Sequence, residues 1–250
     1  MANPVLANGM GSPQSIYQTT TTKFHKLGTR AYMPEDGRVF RYASLAANGT
    51  ALVRANLQQR RIVVVNHSNQ TQATSGATLA AGATRISIDV GATDVTTDQY
   101  TDGFFQINDS VGEGFEYKIR THSARVGAGV IVAELYDPIV IAGSTASDIT
   151  LWASRWADPA SSTTVSGAAG VPKVAVPLLA TAAQFYWAQT WGESSILCGV
   201  AIPLGQAGIQ SAATAGAVTV AAALTDQVVC QALLLTVSTE HQMVSLVIAP

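Results

Sequence analysis

Phe115-Glu-Tyr-Lys-Ile-Arg120 alternates strictly, with Phe115, Tyr117 and Ile119 on one side of an extended chain and Glu116, Lys118 and Arg120 on the other. Successive side chains of a strand point to opposite faces, so this two-residue period is that of a half-buried strand. Ile86-Ser-Ile-Asp-Val90 repeats it. Working outward, further strand-like runs lie at 62–65, 104–108, 130–135, 149–153, 174–178, 185–191, 196–202, 228–237 and 243–248. Gly, Asn, Asp and Ser clusters punctuate them at short intervals, as antiparallel sheets require. Helical windows with caps and i, i+4 charge pairs are nearly absent. Residues 212–223 are rich in alanine, a helix former, but Gly216, Val218, Thr219 and Val220 favour strand. The expected fold is all-β, with antiparallel sandwich or barrel domains.

The first forty residues read differently. Gly9, Gly11 and Pro13 are breakers, Thr19 to Thr22 is a β-branched polar run, and Pro34-Glu-Asp-Gly37 is a turn signal. No period there lasts long enough to bury a face, so residues 1–38 are expected to form an extended N-terminal arm. Ser161 to Gly170 (SSTTVSGAAG) reads as a linker or long loop. It divides an expected central β domain, 39–160, from a C-terminal one, 171–250.

The chain has 250 residues, 48% of them hydrophobic and only 12% charged, about half the charge of an ordinary domain. Disorder needs the reverse balance. A formal net charge of −2 cannot supply a broad counterion-releasing surface, so nucleic acid is not an expected partner. The longest apolar stretch, from Gly216 to Thr236, is interrupted by Thr219, Thr225, Asp226, Gln227 and Gln231, so no transmembrane helix is expected. The opening MANPVLANGMGSPQ lacks a basic region followed by an apolar run, so it is not read as a signal peptide, and cytoplasmic assembly is expected. Cys198 and Cys230 lie in apolar runs and read as buried thiols. A soluble surface this poor in charge is covered either by Ser, Thr, Asn and Gln or by other protein.

Charge is unevenly distributed. Residues 1–61 hold eight basic and two acidic side chains, +6, and the remainder holds six and fourteen, −8. Either the opposite charges neutralise each other within one fold, or the basic residues Lys23, Lys26, Arg30, Arg38 and Arg41 contact an acidic surface of another protein, and the second is the expectation.

Chemistry-bearing constellations are sparse. His25, His67, His122 and His241 stand at no metal-ligand spacing from either cysteine. No nucleophile elbow, phosphate-binding loop or dinucleotide fingerprint occurs. Asp94, Asp98, Asp102, Asp109 and Glu113 could be calcium ligands or a glycosidase pair, but their spacing fits turn punctuation better. Phe185, Trp187 and Trp191 share one face of an expected strand and read as core or subunit interface rather than as a sugar platform. Neither a catalytic residue, a metal ligand nor a cofactor is expected.

Several runs carry a resemblance. They are Tyr100-Thr-Asp-Gly-Phe-Phe-Gln-Ile-Asn-Asp109, Gly112-Glu-Gly-Phe-Glu-Tyr-Lys-Ile119, Leu135-Tyr-Asp-Pro138 and Tyr186-Trp-Ala-Gln-Thr-Trp-Gly192, with Gly199-Val-Ala-Ile and Ala215-Gly-Ala-Val218 beyond. Together they resemble virion proteins of tailed bacteriophages, in particular the cement or decoration proteins of phage heads. The resemblance implies a mostly β subunit without enzymatic activity. It also implies a homotrimer bound to the major capsid protein on the outside of the capsid, where it bridges capsomers and stabilises the shell. Another virion component, such as a head-fibre base or tail protein, is the alternative, and a carbohydrate-binding adhesin stands behind it.

Overall fold

The protein is described here by a computed structural model covering residues 3–46, 52–61, 63–73, 79–161, 173–175, 183–223 and 227–249. No helix occurs among the described residues, and the fold is all-β. In chain order the strands are β1 (Val5–Leu6), β2 (Arg30–Tyr32), β3 (Val39–Leu45), β4 (Leu57–Gln59), β5 (Gln70–Thr71) and β6 (Arg85–Asp89). β7 (Phe104–Asp109), β8 (Glu116–His122), β9 (Val130–Leu135), β10 (Asp148–Trp152), β11 (Ala160–Ser161) and β12 (Lys173–Ala175) follow. The last are β13 (Gln184–Cys198), β14 (Ala207–Gln210), β15 (Val218–Val220), β16 (Cys230–Ala232) and β17 (Glu240–Val247). They belong to two units, one made of Met1–Arg61 with Arg155–Pro250, the other of Ile62–Ser154.

The two-residue period is realised most directly in the unit Ile62–Ser154. Six antiparallel strands run in the order β5-β10-β7-β8-β9-β6 and curl around one core. Tyr117 and Ile119 of β8 meet Phe105 and Ile107 of β7, and Ile88, Ile131 and Leu151 complete the interior. Gln72, buried just beyond β5, reaches the strand at the opposite end of that order. Its Oε1 accepts the Asp89 N–H at 2.9 Å and its Nε2 donates to the Asp89 carbonyl at 3.3 Å. A primary amide offers the same donor and acceptor as a peptide group, so one side chain ties the first strand of the sheet to the last.

The other unit is built on the fifteen residues of β13. Its first half pairs with β3, Phe185 opposite Ser44 and Trp187 opposite Tyr42. Its second half pairs with β17, from Trp191 opposite Val247 to Cys198 opposite Glu240. Phe40, Tyr42 and Trp187 anchor one core; Ile196, Cys198, Cys230 and Leu246 belong to another. Around the second core the pairings β13–β15, β15–β14, β14–β16, β16–β17 and β17–β13 close a five-strand barrel. Sequence reading breaks β13 in two at Gly192-Glu-Ser-Ser. The structure joins the halves, because β17 supplies a ladder partner opposite every residue from Trp191 to Cys198, and a tertiary ladder outweighs weak local propensity.

Other expectations are corrected as well. Residues 3–38 are no free arm: β1 pairs with β2 and β2 with β3, and Ile16, Leu27, Ala31 and Met33 lie in the first core. Those apolar residues recur at no fixed spacing, and polar contacts fasten the segment between them. Buried Gln14 donates to the carbonyls of Gln18 and Phe185, accepts from the Tyr42 hydroxyl, and gives its own carbonyl to Trp187 Nε1–H. The unit boundaries fall at 61/62 and 154/155, so the expected domain 39–160 is divided. The cause is long-range pairing of β3 with β13 across the whole intervening unit. Residues 63–65 form no strand, and the run 228–237 is strand only at β16. Of the expected linker 161–170, Ser161 ends β11 and the rest, like most of the run 174–178, lies outside the described residues.

Division by unit sharpens the charge asymmetry. Met1–Arg61 with Arg155–Pro250 carries ten basic and six acidic side chains, +4, against four and ten, −6, for Ile62–Ser154. The change of sign noted at residue 61 coincides with a unit boundary.

Candidate functional site

The runs that carry the phage resemblance in the unit Ile62–Ser154 converge. Asp102 and Gly103 exchange backbone hydrogen bonds with Ile119, each at 2.9 Å, and the Tyr136 hydroxyl donates to Asp102 Oδ1 at 3.0 Å. Tyr117 accepts the Val140 N–H. Gly112 and Gly114 make the β7–β8 turn with φ of 87° and 85°, values that suit residues without a Cβ. These runs are the turns and cross-links of one sheet. They position core, not reacting groups.

Beside them lies an arrangement that spacing alone concealed. His67 and His122 both contact Tyr100. His67 Nε2 faces the Thr93 carbonyl at 3.0 Å, so it carries the proton, and Nδ1 accepts from the Tyr100 hydroxyl. Gln99 Nε2 donates to that hydroxyl at 3.1 Å. His122 Nε2 accepts the Tyr100 backbone N–H at 3.0 Å, which leaves Nδ1–H to donate to the Ser123 carbonyl at 2.9 Å. Burial pushes both histidines below their ordinary pKa and raises that of the Tyr100 phenol. Every imidazole nitrogen is committed in the neutral form, which suits a clamp and leaves no lone pair for a substrate. The signal missed is a bulge in β8: its pairing with β9 shifts between Ile119 and Thr121, turning His122 inward where strict alternation would aim it out.

The five acidic residues do not gather. Asp94 accepts the Gly127 N–H, Asp98 the Thr101 hydroxyl, Asp102 the Tyr136 hydroxyl and Asp109 the Ser110 N–H. Asp98 and Asp102 sit at φ of 61° and 60° in turns. Among the described residues, no three His, Cys, Asp or Glu side chains converge as metal ligands would. Cys198 and Cys230 are buried free thiols, and burial, with Cys198 beside it, pushes Cys230 up to about 12.

Of the three aromatic residues expected on one face, the structure brings two together. Trp187 is fully buried and Phe185 packs against the same core, stacked on Tyr42. Trp191 is 37% exposed. The β3 partners run Gln189–Phe40 and then Trp191–Val39, so Thr190 is an extra residue that turns Trp191 to the opposite face.

The expected basic contacts separate into kinds. Arg38 is engaged in the turn before β3, its Nε 2.6 Å from Asp36 Oδ2. Lys23, Lys26 and Arg30 are exposed, and Arg41 is half-buried. Arg30 stands directly opposite Arg41 across the β2–β3 pair. Arg41 Nη1 approaches the Gly28 carbonyl at 3.4 Å. Gly28 in turn abuts Trp156, since a Cβ there would come within 2.8 Å of the indole, and the residue before Trp156 is the exposed Arg155. Arg61 binds Asp158 at 2.6 Å, and its neighbour Arg60, partly buried, feels the charge of Arg155. Arg60 and Arg155 were not singled out in the sequence because they lie ninety-five positions apart and become neighbours only when β4 meets β11.

In comparisons with protein-family models, curated proteins and solved structures, nothing matches this chain.

Proposed function

We propose that this chain is a structural protein of a phage particle, one that binds the outer surface of the head and stabilises the shell. The observation that carries the proposal is the segregation of charge, +4 on one unit and −6 on the other in a chain only 12% charged. Such a chain has little charge for solubility in isolation, and one of its units has the sign that suits an acidic protein. The resemblance of the 100–138 and 186–192 runs adds the class of partner, a capsid lattice of the major capsid protein. The mode of action is linkage. A protein that binds only the assembled shell lowers the free energy of that state by its binding energy, with no chemical step.

Self-association belongs to the same proposal, with a homotrimer as the expected state. Its support is an exposed apolar surface where residues 200–206 run beside 232–236, joined by Gly205 N–H to Ala232 O and Thr236 N–H to Ile202 O. Leu204, Leu233, Leu234 and Leu235 are all exposed there. Several linked copies multiply a modest affinity for the lattice.

The test is made on particles. Heads lacking this protein should release DNA at a lower temperature than complete heads, and complete particles should hold hundreds of copies. Equal release temperatures overturn the stabilising role. A handful of copies per particle transfers the chain to the tail or a fibre base.

A further inference from the structure

Four arginines from four separate segments form a chain of charge neighbours on the basic unit: Arg30 on β2 stands opposite Arg41 on β3, Arg155 ahead of Trp156 acts on Arg41, and Arg60 after β4 adjoins Arg155. Arg30 and Arg41 are cross-strand partners, a placement that is destabilising for like charges. Arg155 adjoins them through Trp156 and Gly28. Arg60 is linked to Arg155, since β4 pairs with β11 a few residues beyond Arg155 and the charge of Arg155 acts on Arg60.

Electrostatics follow the geometry. Burial lowers Arg41 below its ordinary pKa, and the charges of Arg30 and Arg155 lower it further. Burial lowers Arg60 too, with Arg155 adding to it. A fold that gathers like charges in this way gives up stability, a trade typical of binding sites.

We propose that Arg30, Arg41, Arg60 and Arg155 form a docking site for the side-chain carboxylates of an acidic segment of a partner protein. Guanidinium is the group suited to that role, because its planar fork matches a carboxylate with two parallel hydrogen bonds. An acidic protein segment fits better than nucleic acid. The unit that carries the cluster has a net charge of only +4, so a long polyphosphate finds no extended basic track to follow. The site includes two of the five basic residues expected from sequence, Arg30 and Arg41, and adds Arg60 and Arg155. It depends on the proposed function only in identifying the acidic segment with the shell.

The experiment uses the full chain and a deca-glutamate peptide, titrated at about 50 mM salt, where charge attraction is weakly screened. The peptide should bind, and an R30A/R155A double variant should bind at least ten-fold more weakly. R30K/R155K, which keeps charge but loses the fork, should fall between them. Arg120→Ala, on the other unit, should bind as the unaltered chain does. R30A/R155A should melt at the same or a higher temperature, since a repulsion has been removed. Absence of peptide binding, or equal binding by R30A/R155A, overturns the site. Tighter binding of a duplex oligonucleotide or of inorganic phosphate, lost in the same variant, overturns the assignment to a protein partner. None of these results changes the copy number or heat release of particles, so the two proposals fail separately.

Discussion

Each ring nitrogen of His67 and His122 has a fixed role in the neutral imidazole, and this makes acid the natural stress on the unit Ile62–Ser154. Burial holds both groups below the ordinary histidine value of about 6.5, so the unfolded chain takes up protons before the folded one does. Their contribution to stability is therefore complete above about pH 6.5 and is lost as the pH falls below it toward the folded values. Protonation of His122 would also remove the acceptor for the Tyr100 N–H. Urea unfolding followed from about pH 8 to pH 5 should show midpoints that fall on the acid side. His122→Gln keeps an amide oxygen as acceptor and removes the titration, so its midpoints should fall less steeply. An unchanged slope in that variant would place the acid sensitivity elsewhere. None of this was legible in the sequence, where the four histidines stand apart. Two of them, His67 and His122, come to Tyr100 only through the chain reversals that bring residues 67, 100 and 122 together.

At the scale of the element, two bulges decide which side chains are inside. The extra residue in β13 leaves Trp187 in the core and Trp191 at the surface, although both share the two-residue phase of Phe185. Trp187→Ala should cost about 3–5 kcal/mol, the range for emptying a buried aromatic site. Trp191→Ala should change stability by no more than about 0.5 kcal/mol. Thermal unfolding of the two variants checks the pair, and comparable losses would deny the bulge its role. The strands themselves were far more legible. The alternating runs at 86–90, 104–108, 115–120 and 130–135 all became strands of one curled sheet, because each carries its own inward and outward faces. The N-terminal strands were missed for the opposite reason. β1 and β2 are two and three residues long, and hydrogen bonds from Gln14 rather than a repeating apolar face fasten the segment between them.

For the whole molecule, low charge and exposed leucines point the same way. Between Val200 and Ser238 the only Asp, Glu, Lys or Arg is Asp226, and Leu234 and Leu235 are 41% and 64% exposed. A large exposed apolar patch marks an interaction surface. The unaltered protein should sediment as an oligomer, and a Leu234→Glu, Leu235→Glu double variant should sediment as a monomer with an unchanged melting temperature, both side chains being outside the cores. A monomeric unaltered chain would remove self-association from the proposed function.

Sequence alone determined the all-β class, most of the strands, the buried thiols and the change of charge sign near residue 61. These properties are local: a two-residue period, the placement of turn formers and a running count of charge are all carried by neighbours along the chain. Tertiary structure alone decided that β3 and β13 pair across an entire intervening unit, that one fifteen-residue strand serves two cores, and that four distant arginines adjoin. Those outcomes depend on which hydrogen-bonding edge each strand finds and on where an extra residue shifts its phase. Neither is set by the residues of a strand taken singly, because both are properties of the pair.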